Sequence, residues 1–577
     1  DVTGSGTNRA TTEGGQVVHV WGHHFGPANT ASSLPQSIYW VRYGTRGVLQ
    51  FAGQTCYVDI ATAGALQRMS CLSAPGTGFG HWWQVSVGGQ ASNVLPKNTS
   101  YAAPTVTYFD GPGYVDADTR AGVEYNVTLN GLNFGADVSV IDISYSNVMK
   151  TPRMMDGVVP GDAAGVVLYQ PTSCMIKTPH RAITCTMPPG AGNDLAWTLV
   201  VDSQRNTAPT TSYGVPTVSS VELQAPADST TPVTMASTDG GDEVVIMGTN
   251  FGLESLIQTV TFGPSGTEYQ VTRMQYIDHE AMLLGLGPGI GKNLRFVVKV
   301  ADQVSDPSTA TISYADPVIT SVSPSFAAPE ADPNMPVIVT VSGYEFGLLN
   351  PNVEVEIAFG HVGDGTFTRV PIVSREPALS DVLDPTWQRP SRPILQQVSF
   401  VLPNSIGKQR TIRVVNYLRG TPPTDEQANN LLSQGGAAAE FSFEDPRVSF
   451  VSVNRLSGED IILLGTMYPA LNDFSNARRL EITGFNFGNN ASVTAPGVQR
   501  VIQAVVSTNI TDSSSIPESA WSETLVQPIF WDHQRIVALS STNRVWIRVA
   551  IRAQAFDAFT QLTSTSNTYP VSQDSPT

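Results

Sequence analysis

Along the chain, apolar and polar residues alternate with a period of two, and each run is soon broken by Gly, Pro, Asn or Asp. A period of two sends successive side chains to opposite faces of a strand, so the chain reads as all-β. No segment holds an amphipathic helical period for three turns. No apolar run approaches the ~18 residues of a membrane-spanning helix.

The alternation is clearest ahead of a motif, Gly-x-x-Phe-Gly, written five times: GHHFG from Gly22, GLNFG from Gly131, GTNFG from Gly248, GYEFG from Gly343 and GFNFG from Gly484. Two and four residues before its first Gly stand Val20 and Val18, Leu129 and Val127, Ile246 and Val244, Val341 and Val339, Ile482 and Leu480. Between them lie His19, Thr128, Thr340 and Glu481, which predicts a half-buried antiparallel strand at each copy. Further on come a strand ending in an aromatic and Gly (VRYG, VTFG, IAFG), a Pro-Gly turn (APGTG, PPGAG, GPGIG, and a looser LPNSIG) and an alternating strand (WWQVSV, LAWTLVV, LRFVVKV, RTIRVV). Each unit closes on Tyr-x-x-Pro or a cousin, ending at Pro104, Pro216, Pro317 and Pro446.

These signals predict a linear array of five β-sandwich units: 1–103, 104–215, 216–316, 317–445 with an insertion around 375–395, and a divergent 446–577. The fifth has an extra stretch near 457–477 and no Pro-Gly turn, and Tyr569-Pro570 reads as the start of a next junction. The first unit has 21 residues before Gly22, against 26 between Pro104 and Gly131, so its opening strand is expected to be missing or supplied from elsewhere. Short linkers carrying Pro predict restricted angles between neighbours. In the motif, both glycines are expected to supply φ > 0, the Asn to tolerate the left-handed region, and the Phe to plug the core. No helix is predicted after it that could hold a phosphate.

Charge narrows the function. The 577 residues carry 32 basic and 49 acidic side chains, a net of −17, which argues against a nucleic-acid partner. Charged residues make only 14% of the chain, and a surface of Ser, Thr, Asn and Gln suits a secreted glycoprotein. The opening DVTGSG contains no signal peptide, which suggests that something is removed upstream. The four cysteines sit close in pairs, Cys56 with Cys71 and Cys174 with Cys185. Even number and local pairing favour disulfides in an oxidising compartment; a zinc site of four thiolates is the rival, without the tight C-x2–4-C knuckle.

Taken together, these residues resemble the IPT/TIG family of immunoglobulin-like domains. The second unit carries most of the pattern: Pro104, GLNFG, Cys174, Cys185, Pro188-Pro189-Gly190 and Tyr213. The third has Pro216, Gly240-Gly241, GTNFG, Pro288-Gly289 and Tyr314, with Leu284 standing where the second cysteine of the other units falls. The first has Gly14-Gly15, Cys56, Cys71 and Pro75-Gly76. The resemblance implies an immunoglobulin-like sandwich. It leaves function broad, since the family spans receptors, cell-surface and bacterial surface proteins, accessory modules of starch-acting enzymes and transcription factors.

Candidate chemistry is sparse. His23 and His24 occupy the variable motif positions, and strand alternation predicts that their rings diverge. HRAITC at 180–185, DHE at 278–280 and WDH at 531–533 recur at comparable places and predict a strand entry or turn. With no nucleophile elbow and no zincin motif, no catalytic, cofactor-binding or metal-ligating residue is assigned. Calcium at the junctions stays as an alternative, resting on Asp316 and Glu444-Asp445. N-glycosylation sequons stand at Asn98, in a predicted linker, and at Asn126, Asn490 and Asn509. The C-terminal TSTSNTYPVSQDSPT could carry O-glycans. Trp82 and Trp83 are the candidate glycan or partner contacts, one ring expected inward and one outward, with Trp521 and Trp531 as further surface candidates.

The reading is a non-enzymatic extracellular or cell-surface protein, N-glycosylated and without cofactor, cut from a longer array. Its partners are other protein chains, copies of itself in a surface, ciliary or flagellar filament, or glycans. The alternative is a ligand-binding receptor ectodomain or a carbohydrate-binding surface protein.

Overall fold

The computed structural model describes residues 1–29, 39–60, 66–120, 125–147, 168–225, 234–328, 336–360, 367–384, 394–403, 408–419, 431–432, 439–454, 456, 459, 478–487, 498–506, 526–531, 534–540, 545–553, 562–565 and 569–571. The protein is all-β. Among the described residues α-helix is confined to the short turn Leu379–Leu383, inside the expected insertion of the fourth repeat, and to Glu459. The chain divides into two compact units, one of residues 1–222, 243–285 and 295–311, the other of residues 223–242, 286–294 and 312–577.

Antiparallel sheets follow one another along the chain and build immunoglobulin-like sandwiches. In the second repeat the strands Thr105–Asp110, Asn126–Leu132, Ala182–Thr186 and Ser173–Thr178 lie side by side in that order. Leu168–Tyr169, Ile141–Ser146, Leu195–Val201 and Gln204–Thr211 form the other sheet. The inward residues of both sheets, Val127, Leu129, Ile183 and Cys185 against Ile143, Tyr145, Trp197 and Leu199, share one core. Burying each large apolar side chain there is worth ~1.5–3 kcal/mol, which is why register is so firmly set.

The first repeat has the same plan, with Val17–Gly22 between Val2–Thr3 and Gln67–Leu72. A two-residue strand, Val2–Thr3, holds the opening position beside Val17–Gly22, where the strand was expected to be missing or supplied from elsewhere. The third repeat repeats the order with Thr217–Leu223, Glu243–Thr249, Ala281–Gly285 and Arg273–Asp278. In the fourth, one long strand, Phe367–Glu376, pairs with Val353–Gly360 on one side and Gln396–Val401 on the other, so its sheets run into one. The fifth pairs Arg478–Phe485 with Arg447–Asn454 and Arg535–Ser540, and Val545–Ala553, of a separate sheet, adds Ile547 and Val549 to the core. Within the C-terminal Ser/Thr tract, strands Leu562–Thr565 and Tyr569–Val571 pair with Val545–Ala553.

The five motif phenylalanines, Phe25, Phe134, Phe251, Phe346 and Phe487, are all buried. The residue before each, His24, Asn133, Asn250, Glu345 and Asn486, takes the left-handed conformation with φ between 61° and 65°. Only the second glycine has φ > 0, at Gly26, Gly135, Gly252 and Gly347. The first is glycine for another reason: a Cβ there would meet the Cζ of its own motif's Phe ring at 2.5–2.8 Å. In four copies the Cβ would also run into the paired strand's carbonyl oxygen, of Thr105, Thr217, Val318 or Arg447, so only a bare α-carbon fits between ring and neighbouring strand. The closing tyrosines also acquire a role. Tyr101, Tyr213 and Tyr314 donate their hydroxyls to Ala74 O (2.6 Å), Pro188 O (2.7 Å) and Gly287 O (2.8 Å), tying each repeat's end to its Pro-Gly turn.

Candidate functional site at the joints between sandwiches

Cys56 is bonded to Cys71 and Cys174 to Cys185. Cys174 and Cys185 stand directly opposite on neighbouring strands, and closing a loop this short is worth ~3 kcal/mol. His23 and His24 lie beyond the end of strand Val17–Gly22, both exposed, with rings 6.3 Å apart and tilted; strand alternation does not govern them. Among the described residues no three His, Cys, Asp or Glu side chains are grouped to hold a metal ion. The junction acids already have partners: Asp316 with Lys292 (2.9 Å), Asp445 with Lys408 (2.8 Å) and Glu444 with Asn486 Nδ2 (3.2 Å).

The tryptophan pair divides. Trp83 is buried, stacks on Tyr43 with centroids 4.2 Å apart, and donates Nε1–H to Thr99 Oγ1 at 2.8 Å. It is a core residue and contacts neither glycan nor partner. Trp82 is half-exposed, with the Arg46 guanidinium 5.5 Å over its ring. Trp531 is likewise core, donating to Phe487 O at 2.8 Å, and Trp521 lies outside the described residues. Asn98 is exposed but sits in strand Leu95–Ser100, not in a linker, with φ of 58°. Asn126 opens strand Asn126–Leu132, half-buried, and its Oδ1 accepts from Thr186 Oγ1 at 3.0 Å. Asn490 and Asn509 lie outside the described residues.

What recurs in space is a joint. Near the start of the first three repeats stands Ala-x-Thr, the Ala bridging to the closing tyrosine: Ala10 to Tyr101, Ala117 to Tyr213, Ala236 to Tyr314. The threonines, Thr12, Thr119 and Thr238, are almost fully buried. Their partners come from the next repeat. His180 Nδ1 lies 3.0 Å from Thr12 Oγ1, and His279 Nδ1 lies 3.4 Å from Thr119 Oγ1. At the third joint Glu345, the left-handed motif residue, accepts from Thr238 N (2.5 Å), Thr238 Oγ1 (2.9 Å) and Ser237 Oγ (3.0 Å).

A second bond returns from a hairpin. Gln204 Nε2 donates to Tyr101 O at 2.9 Å and Gln303 Nε2 to Tyr213 O at 2.8 Å, so the closing tyrosine of one repeat is held by the next. Asp302 Oδ1 adds a bond from Asn193 N (3.0 Å), and Asn350 Nδ2 donates to Pro288 O (2.8 Å). The motif asparagines also reach back, Asn250 to Val215 O (3.1 Å) and Asn486 to Asp445 O (3.0 Å).

Burial pushes the imidazoles of His180 and His279 below the ordinary histidine value. Glu13 opposes this at His180, and Asp118 and Asp278 oppose it at His279, while Arg181 and Arg120 act with burial. The desolvated neutral ring suits a hydrogen bond to a buried hydroxyl. Beside each histidine the charges complement one another in reversed sense: Arg181 pairs with Glu13 (2.8 Å), Glu280 with Arg120 (3.5 Å). The recurrent histidine was legible as a turn residue; its partner across the joint was not.

Residues 226–312 match the IPT/TIG domain family. No curated protein matches the chain. Among solved structures, the surface glycan-binding protein PbSGBP-B from Prevotella bryantii is 16% identical over 38% of this chain and 41% of its own, with a TM-score of 0.21. The chain thus spans about two fifths of that structure. Invasin, a bacterial integrin-binding protein, is 9% identical over 99% and 98%, TM-score 0.18. The Escherichia coli adhesin FdeC is 9% identical over 57% and 100%, TM-score 0.15.

Proposed function

We propose that this chain is a non-enzymatic structural or adhesive segment of an extracellular glycoprotein, made of five IPT/TIG-type sandwiches with boundaries near residues 103, 215, 316 and 445. Its task is to space or assemble a cell-surface structure such as a filament. The observation that carries the reading is the joint: at three successive places a buried threonine is gripped by the following sandwich. Side chains of one module are here used to hold the buried threonine of the preceding one, which is what a spacer needs. Two disulfides fit an oxidising compartment.

Negative-stain microscopy and sedimentation of the native material test it. Ordered fibres that lengthen with concentration are expected; particles that stay single at native concentration end the assembly reading. The second reading, a glycan- or ligand-binding surface protein, draws on half-exposed Trp82 under Arg46 and on Trp40 under Arg42 at 5.0 Å, two aromatic–guanidinium pairs on neighbouring strands. A glycan array on the wild type and on Trp82→Ala separates the two readings.

A further inference from the structure

The first joint encloses a cleft of about 390 Å³, lined from one sandwich by Gln50, Phe51, Pro75 and Thr77, and from the next by Val140, Asp137, His180 and Asp202, among others. That volume lies at the small end of ligand pockets. Its lining combines apolar surface from Phe51, Pro75 and Val140 with two carboxylates, Asp137 and Asp202, and holds no Lys or Arg. Asp137 accepts from Ser139 N (2.9 Å) and Asp202 from Thr77 Oγ1 (3.3 Å), so each keeps acceptor capacity. The main chain makes room for this: a Cβ on Gly78 would collide with Asp202 Oδ2 and stand 3.6 Å from His81 Nε2. His81, close to this turn but not itself lining the cleft, is 1% exposed and its Nε2 has no hydrogen-bond partner.

The ring of Phe51 is already packed by Tyr43, His81 and Tyr101, at centroid distances of 5.3, 5.7 and 5.5 Å. That argues against a sugar stacked flat on it. A side chain with an aliphatic stem and a positive head suits a lining that joins the apolar Phe51, Pro75 and Val140 to the carboxylates of Asp137 and Asp202 with no Lys or Arg. We infer that this cleft is a recognition pocket for a basic side chain, arginine or lysine, presented by a partner polypeptide. The pocket goes beyond the spacing function and stands or falls independently of it. Its two walls belong to successive sandwiches, so an occupied pocket also holds the first joint closed.

The test is titration of the full chain, followed by NMR or calorimetry, with arginine amide, lysine amide, the neutral isostere norleucine amide, N-acetylglucosamine and calcium chloride. The two basic amides are expected to bind and norleucine amide to bind at least roughly tenfold more weakly. Binding should weaken as salt is raised. Asp202→Asn, which keeps a residue tolerant of the φ of 46° at this hairpin, should cost roughly tenfold in affinity, and Asp137→Asn less, because that carboxylate is tied to its own turn. If either variant shows altered hydrogen exchange, Gln50→Ala on the exposed rim serves in its place, with weaker arginine amide binding expected. Equal binding of norleucine amide overturns the assignment, as does preferential binding of the sugar or calcium, or basic-amide binding that none of the variants weakens.

Discussion

In the second sandwich the strands Ser173–Thr178 and Ala182–Thr186 are joined by a covalent bond; in the third, the equivalent strands Arg273–Asp278 and Ala281–Gly285 are not. Register makes the positions correspond. Cys174 faces Cys185, which faces Val127; Met274 faces Leu284, which faces Val244. Facing residues in an antiparallel pair project from the same side of the sheet, so one site accepts either a disulfide or an apolar contact. Leu284 is fully buried, as Cys185 is. The two solutions act on different states. The disulfide restricts the unfolded chain, whereas leucine stabilises the folded one through burial.

Truncation breaks the comparison most sharply. Leu284→Ala should destabilise the third sandwich by about 2–5 kcal/mol, the range for deleting a fully buried leucine. Hydrogen exchange, which reports on each sandwich separately, should show faster opening there and little change in the second. The matching experiment removes the bond. Cys174→Ser combined with Cys185→Ala should cost the second sandwich about 3 kcal/mol. Mild reduction of the wild type should loosen the first and second sandwiches and leave the third unmoved. A third sandwich that responds to reductant would mean that the repeats do not unfold independently.

Much of this was readable beforehand. The period-two alternation before each Gly-x-x-Phe-Gly located the central strands, and Leu284 was recognisable as the residue in the cysteine's place. The first glycine was misread as a source of positive φ, because the constraint comes from a ring three residues on and from the paired strand's carbonyl, contacts that local propensity does not encode. Trp83 was offered as a surface candidate because alternation predicts that one ring of the pair is inward without saying which. Its burial depends on Tyr43 and Thr99, which belong to other strands. The joints were the least legible of all. His180 and Thr12 are 168 positions apart, and each looks ordinary within its own repeat.

The joints allow the same two sandwiches to be compared at their ends. His180→Ala and His279→Ala each remove one hydrogen bond to a buried threonine, at an expected cost of about 1 kcal/mol to the joint, read as faster exchange around Thr12 or Thr119 with the cores unchanged. Both imidazoles are held below the ordinary value, so below pH ~6.5 the unfolded chain takes up protons that the closed joint refuses. Joint stability is therefore complete above ~6.5 and is lost as pH falls through the lowered folded values. The groups facing His180 are Glu13 and Arg181; those facing His279 are Asp118, Asp278, Glu280 and Arg120, a more acidic set. Glutamine at position 180 or 279 can hydrogen-bond but does not titrate, and should flatten the pH response of its own joint only.

The smallest expected effect concerns order along the chain. The first joint sets Glu13 against Arg181 and the second sets Arg120 against Glu280. These pairs are exposed and add little attraction, but exchanging neighbours would set Glu13 against Glu280 or Arg120 against Arg181. Like charges brought to one place penalise the wrong neighbour even where the right one gains little. Glu13→Arg should therefore loosen the first joint, with Arg181→Glu restoring it in the double variant, and added salt should erase the difference. The second joint should not respond. If the single and double variants open alike, the reversed charges are surface decoration, and order in the array rests on the buried threonine contacts alone.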